Sequence, residues 1–212
     1  MLEPGVALTD YALAIENAIF AFVLSRVAGP NAKLRLWFVV FFSAVAFGAL
    51  LGGITHGFAP SVWIMDREVT WTATMITIGV AGLGAWMSAA HLRGCKRART
   101  GERIVGWGVF AAFVFVVLFV SQDFKYAIVA YLPATLFLLL SFFGWWRRSQ
   151  QRAAQIGAIG VLLTFVAAGV QQSSLSLHPA YMNNNVIYHV IQAIALAMVF
   201  VSARTAVSKT ID

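Results

Sequence analysis

Seven runs of apolar residues dominate this chain of 212 residues, at 8–27, 34–58, 69–92, 104–120, 126–145, 154–170 and 186–203. Each is about the length that crosses a ~30 Å hydrocarbon layer at about 1.5 Å of helical rise per residue. With 60% hydrophobic and 11% charged residues, that much apolar surface cannot be hidden in one soluble core, so lipid is the expected solvent. Backbone N–H and C=O groups find no water in that layer and must pair within their own segment. Long apolar runs are therefore expected as α-helices, and the alternation that would mark a β-barrel is absent. The connecting segments are too short to fold alone. The expected architecture is all-α: one seven-transmembrane bundle over residues 1–212.

The basic residues set the orientation. Of the 15 Lys and Arg, 13 fall on one side of the seven-span pattern: Arg26, Lys33 and Arg35; Arg93, Lys96, Arg97, Arg99 and Arg103; Arg147, Arg148 and Arg152; Arg204 and Lys209. Only Arg67 and Lys125 lie on the other. The bias of Lys and Arg toward the cytoplasm places the N-terminus outside and the C-terminus inside, and a bacterial inner (plasma) membrane is the expected location. The net charge of +7 thus records orientation, and the absence of a basic stripe interleaved with aromatics excludes a nucleic-acid partner. The first apolar run is long, lacks a basic lead-in and is stopped by Arg26, so it reads as a retained span. Cys95 is the only cysteine, which excludes a disulfide framework. Tryptophans 37, 63, 71, 107, 145 and 146 sit near span ends, as an interfacial belt would place them.

Ionisable groups at membrane depth are costly and usually face a cavity or a partner. Six of the eight acids belong to the outer half, and Glu16 is the deepest, about 12 Å along the first helix from Leu8, with Asn17 beside it. Asp10 reads as a first-turn acid favoured by the helix dipole. On the second span Gly48, Gly52 and His56 recur every four residues, on one stripe where glycines permit close approach of a neighbour. Asp66 follows ten residues later. On the last span Asn185, His189 and Gln192 share a face expected to point into the bundle, with Tyr188 adjacent. The preceding loop adds Gln171, Gln172, Ser173 and His178. Glu16, Asn17, His56, Asp66, Asn185 and His189 are expected to converge at one depth at the outer end.

The pattern Gly52-x3-His56, then Asp66, then Asn185-x3-His189, with Glu16-Asn17 on the first span, resembles the superfamily of seven-helix membrane hydrolases that includes alkaline ceramidases, adiponectin-receptor-like proteins and lysoplasmalogenase-like proteins. Those proteins carry Ser-x3-His on the second helix, an Asp about ten residues on, and His-x3-His on the last helix, together holding zinc and its water. Here Gly52 stands at the serine position and Asn185 at that of the first histidine of the last pair. The resemblance implies a zinc ion on His56 and His189, with His178, Asp66 or Glu16 completing the set. It also implies Asp66, Glu16 and Asn185 as catalytic groups and Asn17, Tyr188 and Gln192 as substrate contacts. A catalytic zinc takes three protein ligands and lowers the pKa of its water toward neutrality. The implied activity is hydrolysis of an amide or ester bond of a membrane lipid at the outer side. The alternative is a non-catalytic lipid-binding module or a small structural subunit of a larger membrane complex. A membrane lipid is the expected partner, and homo-oligomers or larger assemblies are compatible with the sequence.

Other chemistries lack their residues. There is no Gly-x-Ser-x-Gly elbow, Cys-x-x-Cys pair or His-Glu-x-x-His motif, and the last span has no lysine for a retinal Schiff base. A transporter is disfavoured because no internal repeat is evident and the inner halves of the spans read as nearly pure apolar.

Overall fold

A computed structural model describes residues 3–58, 67–93, 96–173, 176–178 and 181–209. Among the described residues there are seven α-helices, each long and apolar enough to cross a membrane: α1 (Pro4–Arg26), α2 (Ala32–Phe58), α3 (Arg67–Leu92), α4 (Lys96–Phe119), α5 (Phe124–Ser149), α6 (Arg152–Gln171) and α7 (Asn184–Ser208). Each apolar run expected from the sequence coincides with one of them, Val27 and Val120 falling one residue beyond α1 and α4. The helices run past the apolar runs because a polar or basic residue ends the hydrophobic stretch without ending the i to i−4 ladder. The largest extension, Lys96 to Arg103 on α4, is a basic turn of that kind. Local signals mark the ends. Pro4 opens α1, Asp123 caps α5 by accepting from the Lys125 amide at 3.0 Å, and Asn183 caps α7 by accepting from the Val186 amide at 3.1 Å.

α3 is the most enclosed helix, packed against α2, α4 and α5, and α4 is the least enclosed. α1 lies against α2 along its length and also touches α7, and α7 pairs closely with α6. The contacts Thr9–His189 and Phe20–Phe200 pair positions 180 apart, so α1 and α7 run parallel. The outward faces carry large apolar side chains, among them Leu8 at 70%, Phe22 at 61% and Phe119 at 73% exposure. A soluble surface does not carry so much apolar area.

The two ends of the bundle differ. Toward the end where α1 stops, Phe20 stacks on Phe200 at 4.3 Å and meets Phe42 edge-on at 5.5 Å, and Phe38 stacks on Phe142 at 6.3 Å. Trp145 belongs to this core at 1% exposure, so it is not part of an interfacial belt. This half is less purely apolar than expected, since Ser88, Ser141 and Ser202 are buried in it and Glu102 pairs with Arg93 at 3.5 Å. Close packing of α6 on α7 depends on Gly157 and Gly160, where a methyl group would lie 2.5 Å from Ser202 Oγ and 2.8 Å from the Ala195 carbonyl oxygen respectively. His56, His178 and His189, with Glu3 and the buried Asp10, lie at the other end.

Candidate functional site

The site is built on the first turns of α1, which is wedged between the end of α2 and the start of α7. The Glu3 amide donates to the His56 carbonyl at 3.3 Å, tying the start of α1 to the last turn of α2. From the same residue the carboxylate Oε2 lies 2.5 Å from His56 Nδ1. No described residue bonds His56 Nε2. With 33% of its side chain exposed, His56 is open to whatever approaches that end.

One turn deeper, α1 meets α7. Thr9 Oγ1 and His189 Nδ1 are hydrogen-bonded at 2.8 Å, and the same hydroxyl lies 2.9 Å from the Val6 carbonyl and 3.0 Å from that of Gly5. The hydroxyl proton satisfies its own helix, so Thr9 accepts Nδ1–H and fixes the ring. His189 Nε2 then faces Asp10 Oδ1 at 3.3 Å. Asp10 is 5% exposed and His189 9%, and Asp10 Oδ2 has no partner among the described residues. An ionised carboxylate beside a neutral ring would be an uncompensated charge at this depth. The pair is net neutral only when one proton is shared along the Nε2–Oδ1 line.

Gly52 makes this arrangement possible. A Cβ there would lie 3.2 Å from both Asp10 carboxylate oxygens, and one at the next residue, Gly53, would lie 2.8 Å from the Tyr11 ring. The two glycines therefore accept consecutive side chains of α1, Asp10 on one flank of α2 and Tyr11 on the other. The neighbour that Gly52 admits is a carboxylate, and Gly48 admits Thr77 of α3, so the stripe seats side chains where the sequence suggested a neighbouring backbone.

The expected site residues separate into three groups. His56 and His189 come to the same end of the bundle. Tyr188 joins them, its ring 5.0 Å from that of His189. A second group is turned elsewhere. Gln192 donates to Thr164 Oγ1 of α6 at 3.4 Å, and Asn17 donates to the Leu13 carbonyl of its own helix at 2.8 Å. Glu16 lies on the α1 stripe between Thr9 and Phe20, which meet α7, and is separated from Asn17 by a 100° helical step. Asn185 is half-buried, and His178 lies in the exposed turn before α7, where Nδ1 accepts from the Tyr181 amide at 3.3 Å. The side-chain bonds of Asn17 and Gln192 are thus made away from the two histidines. One turn of α7 spreads its polar groups between α1 and α6. Asp66 lies outside the described residues.

Glu3 and Thr9 carry no site expectation from the sequence, and Asp10 reads there only as a first-turn acid. A signal existed for Asp10, which shares an inward stripe with the fully buried Asn17 seven residues on. Each imidazole has Nδ1 held by a partner on α1, the support that metal-bound histidines normally have. Among the described residues, however, no three His, Cys, Asp or Glu side chains lie close enough to hold an ion. The described residues alone therefore do not make the zinc site that the resemblance implies.

Residues 6–207 match the model of a family of unknown function (DUF6962), and the chain belongs to that family. No curated protein matches the chain, and no solved structure does.

Proposed function

We propose that this member of the DUF6962 family is a membrane-embedded hydrolase acting on an ester or amide bond of a lipid. The basic ends lie in the cytoplasm and the histidine end opens to the outer side of a bacterial inner membrane. One observation carries the reading: imidazoles from α2 and α7 are each held through Nδ1 by a residue at the start of α1, Glu3 for His56 and Thr9 for His189, and His189 Nε2 meets the Asp10 carboxyl. The resemblance to seven-helix membrane hydrolases supports it, and so does the asymmetry of the basic residues.

The chemistry follows from the two pairs. The Glu3 carboxylate accepts Nδ1–H of His56 and stabilises the imidazolium that forms when Nε2 takes a proton from an attacking water. The water oxygen adds to the lipid carbonyl as its proton passes to His56. The deeper Asp10–His189 pair holds the second proton, which it gives to the departing oxygen or nitrogen as the carbon–heteroatom bond breaks. Return of the proton from His56 to the pair closes the cycle. Zinc belongs to this reading only if Asp66 supplies a third ligand beside His56 and His189; the ion would then acidify the attacking water.

The test is release of fatty acid from ester-linked and amide-linked lipids by purified protein in vesicles, with and without added zinc. His56→Ala is expected to lower turnover by about 10²–10⁴-fold, the range for loss of a positioned general base. A wild-type protein inert on both lipid classes, with zinc present or absent, ends the reading.

One observation favours a second reading, a non-catalytic lipid-binding bundle or a small subunit of a larger complex. Neither the cavity of about 20 Å³ between α3, α4 and α5 nor the groove of about 600 Å³ along α1 and α2 is lined by a histidine. In that reading the polar end is a hydrogen-bonded network that fixes the angle of α1, and lipid binding survives His56→Ala unchanged.

A further inference from the structure

We infer that the notch between the starts of α2 and α4 holds the phosphate headgroup of one anionic phospholipid, at the opposite end of the bundle from His56 and His189. Two helices repeat one spacing there. α2 carries Lys33 one turn before Trp37, and α4 carries Arg103 one turn before Trp107, so on each helix a cation and an indole share a stripe. The two indoles meet edge-on, with ring centroids 6.3 Å apart at 73°. Both helices lie antiparallel to α3, where Gly84 faces Phe41 and Gly79 faces Phe113, so they run the same way from the basic end. The contact of the rings therefore sets Lys33 and Arg103 at one level, about 6 Å beyond the indoles by helical rise. Both cations are exposed.

The donors of these four side chains are unclaimed, which is not true of their neighbours. Arg35 donates to the Val27 carbonyl at 2.6 Å, Arg148 donates to that of Leu92 at 3.2 Å, and Arg93 meets Glu102 at 3.5 Å. Among the described residues Lys33 and Arg103 have no such partner. The indoles divide in the same way. Trp71 donates to the Gln122 carbonyl at 2.9 Å and Trp86 to that of Glu102 at 2.6 Å, while Trp37 and Trp107 find no acceptor among the described residues. The Trp86 bond also fixes α4 against α3 beside Arg103, and Glu102, engaged by Arg93, leaves the notch without an acid. Two cations above two N–H donors call for an anion.

Depth identifies that anion. Indoles gather where hydrocarbon meets the headgroups, and past Trp107 the α4 stripe continues through Phe110, Ala111 and Val114 with no polar side chain. A ligand seated on both cations has hydrocarbon directly beneath its charge. That is the arrangement of an anionic phospholipid, and neither a nucleic acid nor an acidic peptide shares it. This lipid is not the substrate of the proposed hydrolase, because Lys33 and His56 stand at opposite ends of α2, about 34 Å apart by helical rise. The assignment is therefore independent of that reading.

Native mass spectrometry of the full chain, released from mixed micelles with equal phosphatidylglycerol and phosphatidylcholine, tests this without requiring turnover. One phosphatidylglycerol is expected to stay bound in preference to phosphatidylcholine. Lys33→Gln combined with Arg103→Gln should lower that retention about tenfold or more, since two cations leave the headgroup level. Arg147→Gln combined with Arg152→Gln removes the same charge from the exposed ends of α5 and α6 and should leave retention unchanged. Equal losses in the two double variants, or no preference between the lipids, would show only the general attraction of a basic end for anionic lipid and overturn the assignment. Displacement of the lipid by inorganic phosphate would give the notch to a soluble anion and overturn it as well. An unchanged melting temperature checks folding of the double variant. If that check fails, Trp107→Phe keeps a ring and removes one N–H, and is expected to weaken retention about threefold; full retention would then count against the notch.

Discussion

Gly160→Leu is expected to lower stability by about 3 kcal/mol or more and to separate α6 from α7. A methyl group at that position would lie 2.8 Å from the Ala195 carbonyl oxygen, 2.9 Å from Met198 Cβ and 3.1 Å from the Val199 nitrogen, so two of the three obstacles are backbone that cannot rotate away. Relief requires the helices to move apart. That movement would open the seam that buries Ala154, Val161, Val199 and Ala203 and would remove Thr164 from the reach of Gln192. The comparison is Gly169→Leu on the same helix, where nothing lies within 4 Å and where only the intrinsic helix propensities differ. Thermal unfolding in detergent reads both. A melting temperature for Gly160→Leu close to that of Gly169→Leu would mean that the α6–α7 contact is not as described.

How far the sequence could be read follows from which costs are local. An unpaired backbone amide in oil is costly wherever its helix sits, so the seven spans are visible from the runs alone, and each coincides with a helix to within a residue at its far end or lies inside it. Helix caps are local as well, which is why Pro4, Asp123 and Asn183 stand where the helices begin. The partner of a polar side chain is not local, because it depends on how each helix is rotated and on what the neighbour offers. Glu16 and Asn17 are adjacent in sequence and look like a pair. A 100° step turns one toward the α7 side and leaves the other fully buried and bonded to its own helix. Similarly Gln192 shares a face with His189 by spacing, yet α1 lies on one edge of that face and α6 on the other. Gly52 shows the limit most clearly. As a letter in the chain it is only a missing serine. In the fold it is the space occupied by the Asp10 carboxylate, 3.2 Å from where a Cβ would be. The sequence contains both residues but nothing that says they meet.

That meeting has a measurable consequence. Removing one member of a buried proton-sharing pair leaves the other without compensation, so His189→Leu, which strands the Asp10 carboxyl, is expected to cost about 3–5 kcal/mol. Asp10→Leu strands the imidazole in the same way, though Thr9 still holds Nδ1. Removing both leaves an apolar contact of similar volume, so the double variant should be more stable than the sum of the single losses predicts. The coupling is expected at about 2–3 kcal/mol, toward the upper end for residues in contact. Gly52→Val should imitate the single losses, since its methyl groups would occupy the carboxylate position and push Asp10 off the 3.3 Å contact. In the Asp10→Ala background the same valine should cost much less, because the crowded group is gone. Unfolding midpoints in detergent measure all of these differences, and fatty-acid release in vesicles runs alongside. Additive losses for Asp10 and His189, or equal costs of Gly52→Val in the two backgrounds, would show that the acid and the imidazole act independently. The proposed acid–base cycle would then lose its proton donor.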